Sequence, residues 1–328
     1  MEAERGKQKN TDSDRGLVML FNHNINHLKD WAGIFQDKAV FAPLVKEIFR
    51  RHGLDFTGID SCTPGSNAVF RSGGFIVKIF APEESEIGGE NDFLTERFGL
   101  RRAEQLGVPA PGLCAEGMIE DAYIFRYLLL EYVEGKSLAT CCANMTGAER
   151  RRIGRSLREI VDRMDVPCKP FNSHALFGKA AEARWEAFPE AFRVERRAYL
   201  NERRAEPAVY VHGDLNPDNI LIRPDGRLCL IDFADALLAP IELELAGLLC
   251  DGFRFDPDYL EGFWGEAFQK EEDRRAEKLS ESLLFGLLIH DYGVNIIRDN
   301  IGAPERISSL KMLRERLDYA LLTGTQTS

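Results

Sequence analysis

Residues 212–219 read His-Gly-Asp-Leu-Asn-Pro-Asp-Asn, and thirteen positions after Asn219 comes the run Asp232-Phe233-Ala234-Asp235. These are the residue types that phosphoryl transfer asks for. One carboxylate must stand beside the attacking hydroxyl, and two oxygen ligands must hold the Mg2+ that shields a nucleoside triphosphate. Asp214 fits the first role, and Asn219 and Asp232 fit the second. Taken singly, each is better explained as a turn or cap residue. Together, at this spacing, they favour chemistry.

The segment between Asn219 and Asp232 supplies a reason for the spacing. Ile-Leu-Ile-Arg and Leu-Cys-Leu-Ile flank Pro224-Asp225-Gly226-Arg227, two apolar arms around an Asp-Gly turn. A two-residue turn at Asp225-Gly226 pairs Ile220 with Ile231 and Asn219 with Asp232. Cross-strand partners lie roughly 5 Å apart between Cα atoms, close enough to share a cation. Asp214 then falls in the loop that feeds the first arm.

His212-Gly213-Asp214 through Asn219, followed by Ile231-Asp232-Phe233, resembles the catalytic core of the aminoglycoside phosphotransferase and choline kinase group, small-molecule relatives of the protein kinases. Protein kinases usually carry Arg where this chain has Gly213 and Gly where it has Ala234, and no Ala-Pro-Glu element follows Asp232. A small acceptor is therefore favoured over a protein. The resemblance implies an α+β, protein-kinase-like bilobal fold with an antiparallel-sheet N-lobe and a mainly helical C-lobe. It also implies Mg2+ and a nucleotide, ATP or GTP, as phosphate donor, and a bracing rather than proton-moving role for His212.

Such a site needs a lysine on a strand and a helix carboxylate to hold it. Phe75-Ile76-Val77-Lys78-Ile79-Phe80 is an apolar run around one lysine, the pattern of a buried strand. Its partner is sought among Glu90, Glu96 and Glu104. Gly107-Val108-Pro109-Ala110-Pro111 matches the family's helix-to-strand connection, and counting back from it favours Glu96, with Glu90 in reserve. The phosphate loop is reduced to Pro64-Gly65-Ser66-Asn67, so Ser66 and Asn67 are the expected contacts. Leu128 to Gly135 reads as a strand ending in an inter-lobe link, whose backbone from Glu131 to Val133 is implied to meet the adenine ring.

A length of 328 residues suggests about two domains. Residues 1–16 are polar and expected to be disordered; 17–130 form the N-lobe, 131–135 the hinge and 136–328 the C-lobe. A net charge of −11 argues against nucleic acid and mildly favours a cationic acceptor. The longest apolar runs are too short to span a membrane, and the polar start has no signal-peptide core. Seven cysteines without a Cys-x-x-Cys suggest reduced thiols and a cytoplasmic location. His23 and His27 stand at i and i+4 but lack a third ligand, so they are read as ordinary histidines.

Arg150-Arg151-Arg152 reads as a solvated face of a helix opened by Thr146 and Glu149, with Ile153, Leu157, Ile160, Val161 and Met164 as its buried stripe. Glu242, Glu244, Asp251, Asp256, Asp258 and Asp291 are candidates for gripping an acceptor, with Glu244 placed where the family more often braces the core. Two other functions stay open: a catalytically inactive nucleotide-binding scaffold, and a protein kinase. The oligomeric state is not legible.

Overall fold

The structure is a computed structural model. It describes residues 19–324 except Pro64, Ala175, Gly178, 204–207 and 266–271, and without the side chains of 179–181 and 272–277. The expected tail 1–16, and Pro64 of the phosphate loop, lie outside the described residues.

The chain begins with α1 (Leu28–Ile34) and α2 (Lys38–Arg51), then β1 (Asp60–Ser61), β2 (Ala68–Ser72) and β3 (Phe75–Ile79). After these come α3 (Gly89–Leu106), β4 (Leu113–Glu120) and β5 (Ile124–Glu131). The five strands form one sheet in the order β1-β2-β3-β5-β4, with every neighbour antiparallel. Alternation along the strands splits the core in two. Tyr127 and Leu129 join the α2 residues Phe41, Leu44, Val45, Ile48 and Phe49 on one face. Leu128 and Leu130 join Phe93, Leu100 and Ala103 of α3 on the other.

The second half holds β6 (Lys136–Ser137), α4 (Leu138–Cys141), α5 (Gly147–Met164), α6 (Lys179–Arg184) and α7 (Glu190–Glu202). Four short strands follow: β7 (Val209–Val211), β8 (Ile220–Ile222), β9 (Leu228–Leu230) and β10 (Leu237–Ala239). Next come α8 (Glu242–Ala246), which runs into a π-helical turn at Gly247–Gly252, and α9 (Pro257–Trp264). The chain closes with α10 (Glu272–Ile289), α11 (Gly293–Asn300) and α12 (Leu310–Thr323). The α+β arrangement expected from the sequence, an antiparallel sheet region followed by a helical region, is what the chain adopts.

α5 opens on the expected capping box. Thr146 accepts from the Glu149 amide at 3.3 Å, and the Glu149 carboxylate accepts from the Thr146 amide at 2.8 Å. Its buried residues are the expected stripe with Gly154 added. The arginines differ from expectation. Arg150 is bonded to Asp256 at 2.6 Å, Arg151 to Asp258, and Arg152 to the Gly226 carbonyl at 3.3 Å. Arg150 and Arg151 are therefore not a solvated face but tie α5 to α9, while Arg152 stays exposed, as expected, beside the hairpin tip. Asp256 and Asp258 are thereby committed to structure, with Asp256 also capping α9.

The hairpin register also differs, by one residue. Ile220 pairs with Leu230, Leu221 with Cys229 and Ile222 with Leu228, while the Ile231 amide donates to Asn219 O at 3.0 Å. The cause is Gly226, whose φ of +79° adds a third loop residue between the bonded Arg223 and Arg227. Asn219 therefore faces Ile231, and Asp232 comes one residue later. It reaches the same place by another route: φ at Asp232 is +63°, a left-handed turn that Asp tolerates better than most residues. All seven cysteines are unpaired. Among the described residues no helix is long and apolar enough to cross a membrane.

Candidate active site

Two small sheets hold the two key loops side by side. β7 leads into residues 212–219 and pairs antiparallel with β10, which follows residues 231–236. β8 and β9 pair at the other end of the same loops. Loop ends clamped at both sides leave little backbone freedom for Asp214, Asn219 and Asp232.

Lys78 projects from β3, the central strand, and is only 5% exposed. Its Nζ lies 3.0 Å from Glu96 Oε2 and 2.6 Å from Asp232 Oδ1. Burial works against the Lys78 charge, but the Asp232 and Glu96 carboxylates outweigh it and hold its pKa above the ordinary value. Burial pushes Glu96 up, to about 7, against the pull of Lys78. Asp232 is lowered, chiefly by the Lys78 charge. Glu90 pairs instead with Arg126, so the choice between Glu90 and Glu96 falls to Glu96.

Asp214 and Asn219 are joined directly. The Asn219 amide nitrogen donates to Asp214 Oδ2 and to the Asp214 carbonyl, each at 2.9 Å, and Asn216 donates to Asp214 Oδ1 at 2.9 Å. Burial, with the nearby Asp235 charge, raises the Asp214 carboxyl to about 7. Asp235 is itself raised to about 6, mainly by burial.

Beneath the loop, His212 is fully buried against Phe233, ring centroids 4.7 Å apart. Its Nε2 stands 3.1 Å from the Ile231 carbonyl, a contact that places a proton on Nε2. Burial lowers its pKa to about 4, so the ring is neutral near pH 7. Glu244 accepts from the amides of His212 and of Gly213, the latter at 3.3 Å. Gly213 has φ +81°, and a Cβ there would run into the Asp235 carbonyl. An arginine at this position would not fit the loop as it stands.

The remaining expected residues are placed less evenly. Ser66 is exposed, and its carbonyl accepts from Trp31 Nε1 at 2.9 Å. Asn67 is turned inward: its side-chain oxygen accepts from the Ala81 amide at 3.2 Å and its nitrogen faces Asp92 at 3.4 Å. Gly65 carries the loop over the site, since a Cβ on it would lie 3.9 Å from Asp232 Oδ2. In the 131–133 segment, the Glu131 amide donates to Gly112 O at 2.8 Å and the Tyr132 amide to Gly74 O at 2.9 Å. Val133 makes no internal backbone hydrogen bond among the described residues.

A cavity of about 300 Å³ opens beside Asp214, walled by Asn216, Asp251, Tyr292, Asn295 and Asp299. A smaller one of about 150 Å³ adjoins it, with His174, Asp235 and Asp291 in its wall. Among the described residues no lysine or arginine lines either. Of the six acidic residues singled out from sequence, Asp251 and Asp291 reach these cavities. Asp235, Tyr292, Asn295 and Asp299 were not foreseen. Only Asp235 carried a signal, three residues after Asp232; the others come from α11 and its approach, far along the chain.

For a metal the donor set fits a hard cation. Asp232 Oδ2 and Asn219 Oδ1 are oxygens, and the Asn219 nitrogen is taken by Asp214. No cluster of three or more His, Cys, Asp or Glu able to hold an ion exists among the described residues, His23 and His27 included. Two protein oxygens complemented by phosphates and water are what Mg2+ ordinarily takes.

Solved structures share this architecture. An aminoglycoside phosphotransferase APH(4)-Ia, a thermostable mutant in apo form, superposes with a TM-score of 0.53 at 15% identity, over 86% of this chain and 99% of that one. Amicoumacin kinase hAmiN, solved with AMP-PNP, Ca2+ and Ami, gives 0.57 at 16% identity, over 86% and 95%. The GDP complex of wild-type aminoglycoside 2'-phosphotransferase-IIIa gives 0.53 at 19% identity, over 87% and 99%. The fold is thus the bilobal, protein-kinase-like one used by small-molecule kinases. Residues 65–279 match the model of the phosphotransferase enzyme family, and the chain belongs to that family. No match was found among curated proteins.

Proposed function

We propose that the chain moves the γ-phosphoryl group of ATP or GTP to a hydroxyl of a small cationic molecule, an aminoglycoside or another amine-bearing metabolite. The observation that carries this reading is the linked set Glu96–Lys78–Asp232 and Asn219–Asp214, built from a strand, a helix and two clamped loops. In it, Lys78 positions the phosphates and Glu96 holds Lys78. Asn219 and Asp232 would hold Mg2+, whose charge, when bound, offsets that of the phosphates. Ser66 and Asn67 shape the loop above them, Ser66 from its exposed tip and Asn67 from within. The Glu131–Val133 segment receives the base, with the Val133 amide as donor. We read 17–130 and 136–328 as the two lobes and 131–135 as their hinge.

The acceptor hydroxyl approaches from the Asp214 cavity. Its oxygen bonds to the γ-phosphorus as the bond from that phosphorus to the β–γ bridging oxygen breaks, and the nucleoside diphosphate leaves. The hydroxyl proton passes late to Asp214. A carboxyl raised to about 7 is a better base than an ordinary one, while still ionising in the physiological range. His212 and Glu244 brace the loop from below. The wall of Asp251, Asp291 and Asp299 suits a cation. The seven free thiols fit a reducing compartment such as the cytoplasm.

The test is nucleoside diphosphate formation with Mg2+ across aminoglycosides, amino alcohols, sugars and nucleosides, with Asp214→Asn as control. Acceptor-dependent turnover that disappears in the control supports the proposal. Tight nucleotide binding with no turnover for any acceptor would favour a scaffold instead.

A further inference from the structure

Next to the acceptor cavities lies a much larger chamber of about 760 Å³, within the range of small-molecule sites. Leu200, Leu238, Pro240, Phe285 and Ile289 give it an apolar side, and Glu182, Arg196, Arg197, Asn201 and Arg203 a polar rim. The described charged groups at its rim are already paired. Arg196, itself buried, is bonded to Glu182 at 2.9 and 3.0 Å and to the Leu288 carbonyl at 2.8 Å. Arg203 is paired with Glu281 at 2.5 Å, and Arg197 with Glu190 at 3.1 Å. What the chamber offers a ligand is apolar surface.

The chamber adjoins the catalytic side at one shared residue. Leu176 borders both it and the cavity that contains Asp235 and Asp291. That cavity in turn shares His290 and Tyr292 with the one that contains Asp214. β10 divides its residues between them, with Leu237 in the acidic cavity and Leu238 in the chamber, as alternation along a strand requires. Ile289, the last residue of α10, lines the chamber, and His290 just after it lines the acidic cavity. Phe177, beside Leu176, lines the chamber with φ +69° and 44% of its surface exposed. A left-handed aromatic residue is uncommon, and such outliers gather at ligand clamps.

Resting on the phosphotransferase reading, we propose that the acceptor is an amphiphilic amine: its hydroxyl at Asp214, its cationic centre between Asp235 and Asp291, and its apolar portion over Leu176 in the chamber. A uniformly polar polycation would leave the chamber unfilled. An apolar extension of an amino alcohol gains affinity there by leaving water, up to about fourfold for each fully buried methylene.

The experiment is calorimetric titration of the full chain with 2-amino-1-propanol, 2-amino-1-hexanol and 2-amino-1-decanol, with nucleotide turnover measured in parallel. Two substitutions fill the chamber: Leu238→Trp from the strand, and Asn201→Trp from the exposed face of α7, where misfolding is a lesser risk. Neither residue is part of the catalytic set. The expected result is affinity that climbs at least tenfold from propanol to decanol in the wild type. At least one filling variant should flatten that climb while 2-amino-1-propanol binds as before. Affinity independent of chain length, or a climb unchanged in both variants, overturns the proposal. A climb removed by the variants, but with no phosphoryl transfer to any member, overturns the acceptor assignment. If turnover with the wider acceptor panel then also fails, the phosphotransferase reading falls with it; if it succeeds, only the amphiphilic acceptor is lost.

Discussion

Asp214 carries two expectations that pull against each other. Raised to about 7 by burial and by Asp235, it must lose its proton to serve as base. kcat/KM should therefore fall about tenfold for each pH unit below 7, a limb absent from nucleotide binding alone. The same shift bears on stability. A carboxyl whose folded pKa lies above its ordinary 3.8 favours the fold while protonated, and that contribution disappears as pH rises from about 4 through 7. Asp214→Asn should accordingly gain stability relative to wild type across that window, by roughly 1–2 kcal/mol once partial solvation is allowed for. Denaturant titrations at pH 5 and pH 8 check it; a difference that shrinks toward pH 8 would contradict the assigned shift. Glu96→Gln leaves Lys78 with Asp232 as its one charged partner, and is expected to raise the nucleotide KM about tenfold by loosening the lysine.

At the scale of elements, α3 is pressed against the segment that follows Asp232. A Cβ at Gly99 would sit 2.6 Å from Phe233 Cβ and 2.8 Å from the Tyr210 hydroxyl. Gly99→Ala should cost about 1–3 kcal/mol in chemical denaturation and lower turnover, since Glu96 lies on the same helix. Unchanged stability would mean that the helix has room to retreat. These elements were legible in the sequence to different depths. Lys78 was legible as the one charge in an apolar strand, whereas Glu96 was separated from Glu90 and Glu104 only by counting back from the Gly107–Pro111 connection of the family it resembles. The hairpin was legible, its register was not, because Asp-Gly is compatible with either a two-residue loop or a three-residue loop closed by Gly226. Arg150 and Arg151 were misread because their partners Asp256 and Asp258 lie more than a hundred residues away. Of the acidic wall, Asp251 and Asp291 were among the candidates read from the sequence, while Asp299 was hidden because only the fold brings α11 to the site.

At the scale of the molecule, the Lys78–Asp232 pair joins the N-terminal sheet to the C-terminal loops, and a bound nucleotide would add further links between them. Nucleotide with Mg2+ should stabilise the fold by about 2.7 kcal/mol at a hundred times Kd, and so raise the Tm as its concentration rises. Thermal unfolding with and without the metal would show it, and a Tm indifferent to nucleotide would argue against nucleotide binding. The most direct test of the whole account separates binding from chemistry at Asp214. In Asp214→Asn, nucleotide Kd measured by calorimetry should stay within about twofold of wild type, while acceptor-dependent turnover falls by about 10²–10⁴. Turnover retained in that variant would contradict the account.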